Sequence, residues 1–323
     1  MIIKEYDFDD AVVLPVNSQN NSRENTDISV KLSDNLTIAF PLIASPMRGI
    51  VDAQFINRLS ELGGLGILHR FFDNDKEHHR EIKDVSTAKL FGIALGLVDS
   101  NQSYISIMSY NPRVVVIDVA NGYASNLLKK CADVKKIIQE YSPNTLLMSG
   151  NVATKQGAQS LKDAGVDIIR VGIGNGAECS TTNVTGIGRP ILSAIMDCAE
   201  VEDVIICADG GLKNSGDFVK AIVAGADICM AGALFAQVFE STNDGIIYGQ
   251  ASKKLQEMRG TQIKSIEGFE RIVRKTMNLE AFVKEFSYGI KSAGTYLNAD
   301  TLVDMCANGR FVEAGRSTIK KEY

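Results

Sequence analysis

No Cys-x-x-C pair, no block of basic residues, no apolar run long enough to cross a membrane and only three histidines occur in these 323 residues. Each absence removes a class of protein. The six cysteines, at positions 131, 179, 198, 207, 229 and 306, are scattered, which suggests neither a disulfide framework nor a zinc site. With 34 basic against 39 acidic residues the formal charge is −5. Such a field does not attract nucleic acid or an anionic membrane, so a small-molecule partner is expected. The longest apolar runs, such as Val114-Val115-Val116-Ile117, are strand length, well short of the roughly 20 residues of a membrane span. The first residues show no basic start followed by an apolar stretch, so no signal peptide is read there and a cytoplasmic protein is expected. His78 and His79 fall in the polar stretch 74–80, which reads as a solvated helix face, so a histidine-based triad is disfavoured. His69 ends a strand-like run and suits a structural role as well as a site role.

What is present is an average globular composition, 45% hydrophobic and 23% charged, compatible with one large core. Eight short apolar or β-branched runs recur, at 42–47, 64–70, 90–96, 114–120, 145–151, 168–174, 204–210 and 228–232. Between them lie stretches with apolar residues three and four apart, at 52–62, 125–141, 155–164, 190–199 and 216–224. Near-continuous apolar strands alternating with helices imply a parallel sheet covered on both faces. Eight units predict a (β/α)₈ TIM barrel in a single domain spanning 1–323, with no inserted regulatory domain. An open dinucleotide-binding sheet would place G-x-G-x-x-G after its first strand. Here the glycine pattern, Gly172, Gly174 and Gly176, follows the sixth. The less regular segment 241–274 reads equally as a mobile flap over the barrel mouth or as a surface excursion. A last helix is predicted over 279–291.

Polar residues gather where three strands end. Strand four ends in Asp118-Val119-Ala120-Asn121-Gly122-Tyr123 and strand seven in Ala208-Asp209-Gly210-Gly211. Asp118 and Asp209 are either ligand contacts or turn formers, because a carboxylate at a buried strand end has to be partnered. Gly210, Gly211 and Gly232 can offer backbone N–H groups to a phosphate, and glycine serves tight turns equally well. Strand six leads into Gly174-Asn175-Gly176-Ala177-Glu178-Cys179-Ser180-Thr181-Thr182. Cys179 is the one cysteine in a glycine-rich loop beside hydroxyl residues, so it is the candidate nucleophile, with an oxidation-prone bystander as the alternative.

The cysteine loop, the Asp209-Gly210-Gly211 turn and Gly216-Asp217 downstream resemble the IMP dehydrogenase and GMP reductase family, and the likeness runs through nearly the whole chain. Three features resemble the reductases: the run Asp118-Val119-Ala120-Asn121-Gly122-Tyr123, Glu267-Gly268 in the flap, and the lack of room for paired regulatory domains. The resemblance implies NADPH-dependent reductive deamination of GMP, or a close analogue, to IMP and ammonia through a covalent thioimidate on Cys179, with Thr181 and Glu267 relaying a proton. It implies nucleotide contacts at Asp209, Gly211, Gly232, Tyr248 and Gly268, and cofactor contacts at Arg70, Asp118, Asn121 and Gly122. It also implies a K⁺ site on the carbonyls of Gly174, Gly176 and Cys179, and a homotetramer. Two alternatives stand beside this reading: a compact IMP dehydrogenase converting IMP to XMP with NAD, and a non-catalytic purine-nucleotide-binding barrel.

The chain departs from the family pattern close to the expected ligands. Asn175 and Ala177 replace a proline and a phosphate-holding serine, Thr182 an arginine, and Met47-Arg48-Gly49 a Met-Asp-Thr. Lys264 and Ile266 replace an arginine and a serine that address the nucleotide. Loss of the serine hydroxyl costs about 1–3 kcal/mol of binding unless Glu178, Lys213 or a water takes its place.

Overall fold

Each of the eight apolar runs holds a strand in the computed structural model, which describes residues 3–249, 252–258, 266 and 268–314. The strands are β1 (Leu42–Ala44), β2 (Gly66–Leu68), β3 (Phe91–Leu95), β4 (Val114–Ile117), β5 (Leu146–Val152), β6 (Ile168–Val171), β7 (Ile205–Asp209) and β8 (Ile228–Ala231). They pair in parallel, each with its sequence neighbour, and β8 pairs with β1 to close the barrel. The protein is thus a (β/α)₈ barrel.

Alternation along the strands sorts their side chains into two cores. Ile43, Ile67, Ala94, Val116, Met148, Ile168, Cys207 and Met230 share a cluster inside the barrel, while the opposite faces pack against the surrounding helices. Leu32, Leu36 and Ile38, from the hairpin of Val30–Ser33 and Leu36–Ile38, join the inner cluster alongside Leu65, Val114 and Ile228 from the strand starts. That hairpin therefore plugs the end of the barrel opposite the strand-end loops.

Several helices begin where the sequence supplies a cap. Asp52, Thr154, Asn214 and Asn278 each accept a backbone N–H from the first turn of the helix that follows. Two helices that periodicity did not mark, Asp75–Val85 and Asn101–Met108, are capped in the same way by Asn74 and Ser100. The last long helix runs Leu279–Leu297, six residues beyond its predicted end. No described helix is long and apolar enough to cross a membrane. Within 241–274 the described residues form a two-stranded hairpin, Ile246–Tyr248 paired with Glu270–Ile272, and a short helix, Lys253–Met258.

Candidate active site

Strand alternation turns polar at the C-terminal end of the barrel. Two residues beyond the inward-facing Ile43, Ile67, Val116, Ile168 and Cys207 stand Ser45, His69, Asp118, Arg170 and Asp209. The first four are buried, with no more than 9% of each exposed, so every charge among them needs a partner. Arg170 supplies it. Its Nη1 donates to Asp118 Oδ1 at 3.1 Å, and its Nε and Nη2 both donate to Asp209 Oδ2, at 3.0 and 2.8 Å. Burial alone would pull the Arg170 guanidinium down, but Asp209 and Asp118 outweigh it and hold the group above the ordinary arginine value. Asn151 Nδ2 adds a third bond to Asp209 Oδ2, at 2.8 Å. Arg70 Nε reaches Asp118 Oδ2 at 3.4 Å.

Above this layer lies a cavity of about 370 Å³. Its walls include Arg70, Asp118, Gly174, Gly176, Cys179, Thr181 and Asp209 among the residues expected from sequence, and Met47 and Glu178, both named beside the expected ligands, together with Ser45, Asn151 and Arg170, which were not expected there. The strand alternation could have revealed Arg170, since a charge two places beyond an inward-facing isoleucine is a site signal. The other expected residues among those described are not in its wall. Gly122 donates its N–H to Asn151 at 3.0 Å, whereas Asn121 is exposed and uses Oδ1 to accept from Tyr123 N–H. Gly232 lies against Met47, Tyr248 against Gly49, and Gly211 beside Asn175. Gly268 pairs with Cys179 in an isolated antiparallel bridge. Glu267 and Lys264 lie outside the described residues.

The Cys179 thiol donates to Oγ1 of Thr181 at 3.2 Å. Thr181 opens a short helix, Thr181–Thr185, and the Cys179 amide closes a turn onto Gly176 O at 3.0 Å. The glycines around this loop have a packing reason. Gly210, at φ +90°, brings the strand-seven turn so close that a Cβ there would meet Gly176 N at 3.0 Å. The space left by Gly174 and Gly188 is filled by the hydroxyl of Thr182, the residue standing where an arginine was expected. Four other cysteines are buried. Burial pushes Cys131 up to about 11, Cys198 up to about 12, and Cys207 and Cys229 well above the ordinary thiol value, which keeps them neutral and inert.

Both side chains named as substitutes for the lost serine are bonded to other residues. Lys213 Nζ is exposed and bonds Asp9 at 2.6 Å, and Glu178 is committed to Arg271 at 2.8 Å. The carbonyls expected to hold K⁺ come from one loop, and that of Gly176 already accepts the Cys179 amide. No step is assigned to such an ion.

A thiol bonded to a hydroxyl at the C-terminal mouth of a (β/α)₈ barrel, with two aspartates across the same cavity, defines a barrel of the enzyme type, whose chemistry sits on strand-end loops. Residues 5–322 match the IMP dehydrogenase / GMP reductase domain, and the chain belongs to this family of oxidoreductases. It is 30% identical to the GMP reductase of Chromobacterium violaceum over 94% of this chain and 96% of that protein. To the GMP reductase of Bacillus subtilis it is 30% identical over 93% and 94%, respectively. An inosine-5'-monophosphate dehydrogenase of Borreliella burgdorferi is 28% identical over 98% of this chain and 95% of its own length.

Proposed function

We propose that the protein is an NADPH-dependent GMP reductase, catalysing GMP + NADPH + H⁺ → IMP + NH₃ + NADP⁺. The observation that carries this reading is the 3.2 Å bond between Cys179 and Thr181 on the wall of a cavity that also reaches Asp118 and Asp209. A volume of about 370 Å³ falls within the range of small-molecule sites. Its lining includes residues expected to hold two different ligands, Asp209 for the nucleotide and Arg70 and Asp118 for the cofactor.

In this reading the Cys179 thiolate adds to C2 of the guanine ring. Thr181, relayed by Glu267, delivers the proton that lets the exocyclic amine leave as ammonia, and a thioimidate remains on Cys179. A reduced nicotinamide dinucleotide, held by Arg70, Asp118, Asn121 and Gly122, would supply the hydride that C2 requires. Cys179 then departs as the C2–S bond breaks. Asp209 presents an acceptor to the ribose, and the backbone at Gly211 and Gly232, with Tyr248 and Gly268, completes the nucleotide contacts. Arg170 and Asn151 occupy Oδ2 of Asp209, which leaves Oδ1 for a ligand hydroxyl.

The Borreliella burgdorferi relative favours a second reading, oxidation of IMP with NAD by the same cysteine. A screen of GMP, dGMP and IMP with both nicotinamide cofactors tests the two together. The first reading expects NADPH oxidation that requires GMP, and NAD reduction that requires IMP would replace it with the second.

A further inference from the structure

The residue before Cys179 is a glutamate in a loop otherwise made of small and polar residues. The Glu178 side chain is only 6% exposed, so its carboxylate needs a partner. Arg271 Nε donates to Oε1 at 2.8 Å. Arg271 lies on the strand Glu270–Ile272 of the hairpin outside the barrel. The same hairpin touches the loop through its backbone. Phe269 N–H donates to Glu178 O at 3.1 Å, and Gly268 pairs with Cys179. A Cβ at Gly249 or at Gly268 would crowd the Glu178 carbonyl, so the two chains approach as closely as glycine allows.

Backbone bonds of this kind form in more than one register. The ion pair does not. A slip of one residue would set Glu270 or Ile272 against Glu178, giving carboxylate against carboxylate or leaving a buried charge without a partner. Glu270 and Ile272 are exposed where Arg271 turns inward, as the alternation of a strand requires.

We propose that Glu178 and Arg271 are a positioning pair: their bond sets the register in which the hairpin docks on the cysteine loop, and so fixes where the Cys179 thiol stands in the cavity. The proposal rests on the reading of Cys179 as the nucleophile for its meaning in turnover, but the pair and its effect on the thiol are independent of the substrate. With either charge of the pair removed, nothing fixes the docking register, and the loop that carries Cys179 loosens from the hairpin.

The test is the rate at which iodoacetamide alkylates Cys179 in the full chain without nucleotide, read by peptide mass, with Cys207 and Cys229 as buried controls in the same digest. Arg271→Gln and Glu178→Gln are expected to alkylate Cys179 about tenfold faster than the parent while both controls stay unlabelled, and Arg271→Lys to remain within about twofold of the parent. Parent-like rates in both glutamine variants would overturn the proposal, as would Arg271→Lys behaving like Arg271→Gln. Should the parent turn over no purine nucleotide, the proposed function fails while the alkylation result stands by itself.

Discussion

Arg170 gives Asp209 two of its donors, Nε at 3.0 Å and Nη2 at 2.8 Å, both to the same oxygen. Two guanidinium N–H groups converging on one carboxylate oxygen hold that oxygen in place as well as neutralising its charge. Since the third guanidinium nitrogen holds Asp118, one side chain ties together the residues proposed for the nucleotide side and the cofactor side of the cavity.

Removing that charge leaves two carboxylates facing each other across a buried layer. Arg170→Met is expected to lower folding stability by about 3–5 kcal/mol, measured by urea unfolding. Arg170→Lys keeps the charge but not the fork, so its main loss is expected in kcat/KM, about tenfold, with a smaller loss of stability. Equal stability losses in the two variants would show that the charge contributes nothing beyond the fork geometry.

Thr181 and Glu267 are proposed to act in sequence on one proton. Thr181→Val and Glu267→Gln should each reduce GMP turnover by about 10²-fold or more, and the double variant should be little worse than either, because removing one member already breaks the relay. Multiplicative losses in steady-state assays would argue for separate roles. An NAD-linked oxidation of IMP that survives Glu267→Gln unchanged would favour the dehydrogenase reading.

Stability should carry a pH signature from Asp217, which is 3% exposed. Burial raises its pKa, opposed by the Lys213 N–H it accepts and by Lys220. A carboxylate with a raised folded pKa binds its proton more tightly when folded. Its unfavourable contribution is therefore full above the folded pKa and vanishes as pH falls through that value to the unfolded one. Asp217→Asn keeps an oxygen for Lys213, so it should raise the melting temperature at pH 7, and the difference should shrink toward pH 4. A pH-independent difference in thermal melts would assign the effect to packing instead.

The strands were legible because burial on both faces writes each as an unbroken apolar run, as in Val114–Ile117. The helix Asp75–Val85 showed only as a solvated face at 74–80, because the seven charged residues in its Asp-Lys-Glu-His-His-Arg-Glu-Ile-Lys-Asp-Val sequence, three of them within its first turn, leave few apolar positions to show a period. The last helix continues past its predicted end at 291, and Gly289 and Gly294 lie inside it where Ser215 and Thr26 come too close for a Cβ. In the site, Cys179, Asp118 and Asp209 stood out by residue type. Arg170 was hidden inside an apolar strand, and Glu178 and Arg271 are 93 residues apart, a pairing that only the fold brings into contact.

The central claim is that Cys179 carries GMP through reductive loss of its amino group. It is tested most directly by incubating the protein with GMP and NADPH and quantifying IMP, ammonia and NADP⁺ beside the Cys179→Ala variant. The account predicts the three products in equal amounts from the parent and none from the variant. Product formation by Cys179→Ala at the parent rate, or a parent that binds GMP and NADPH without forming IMP, would contradict it.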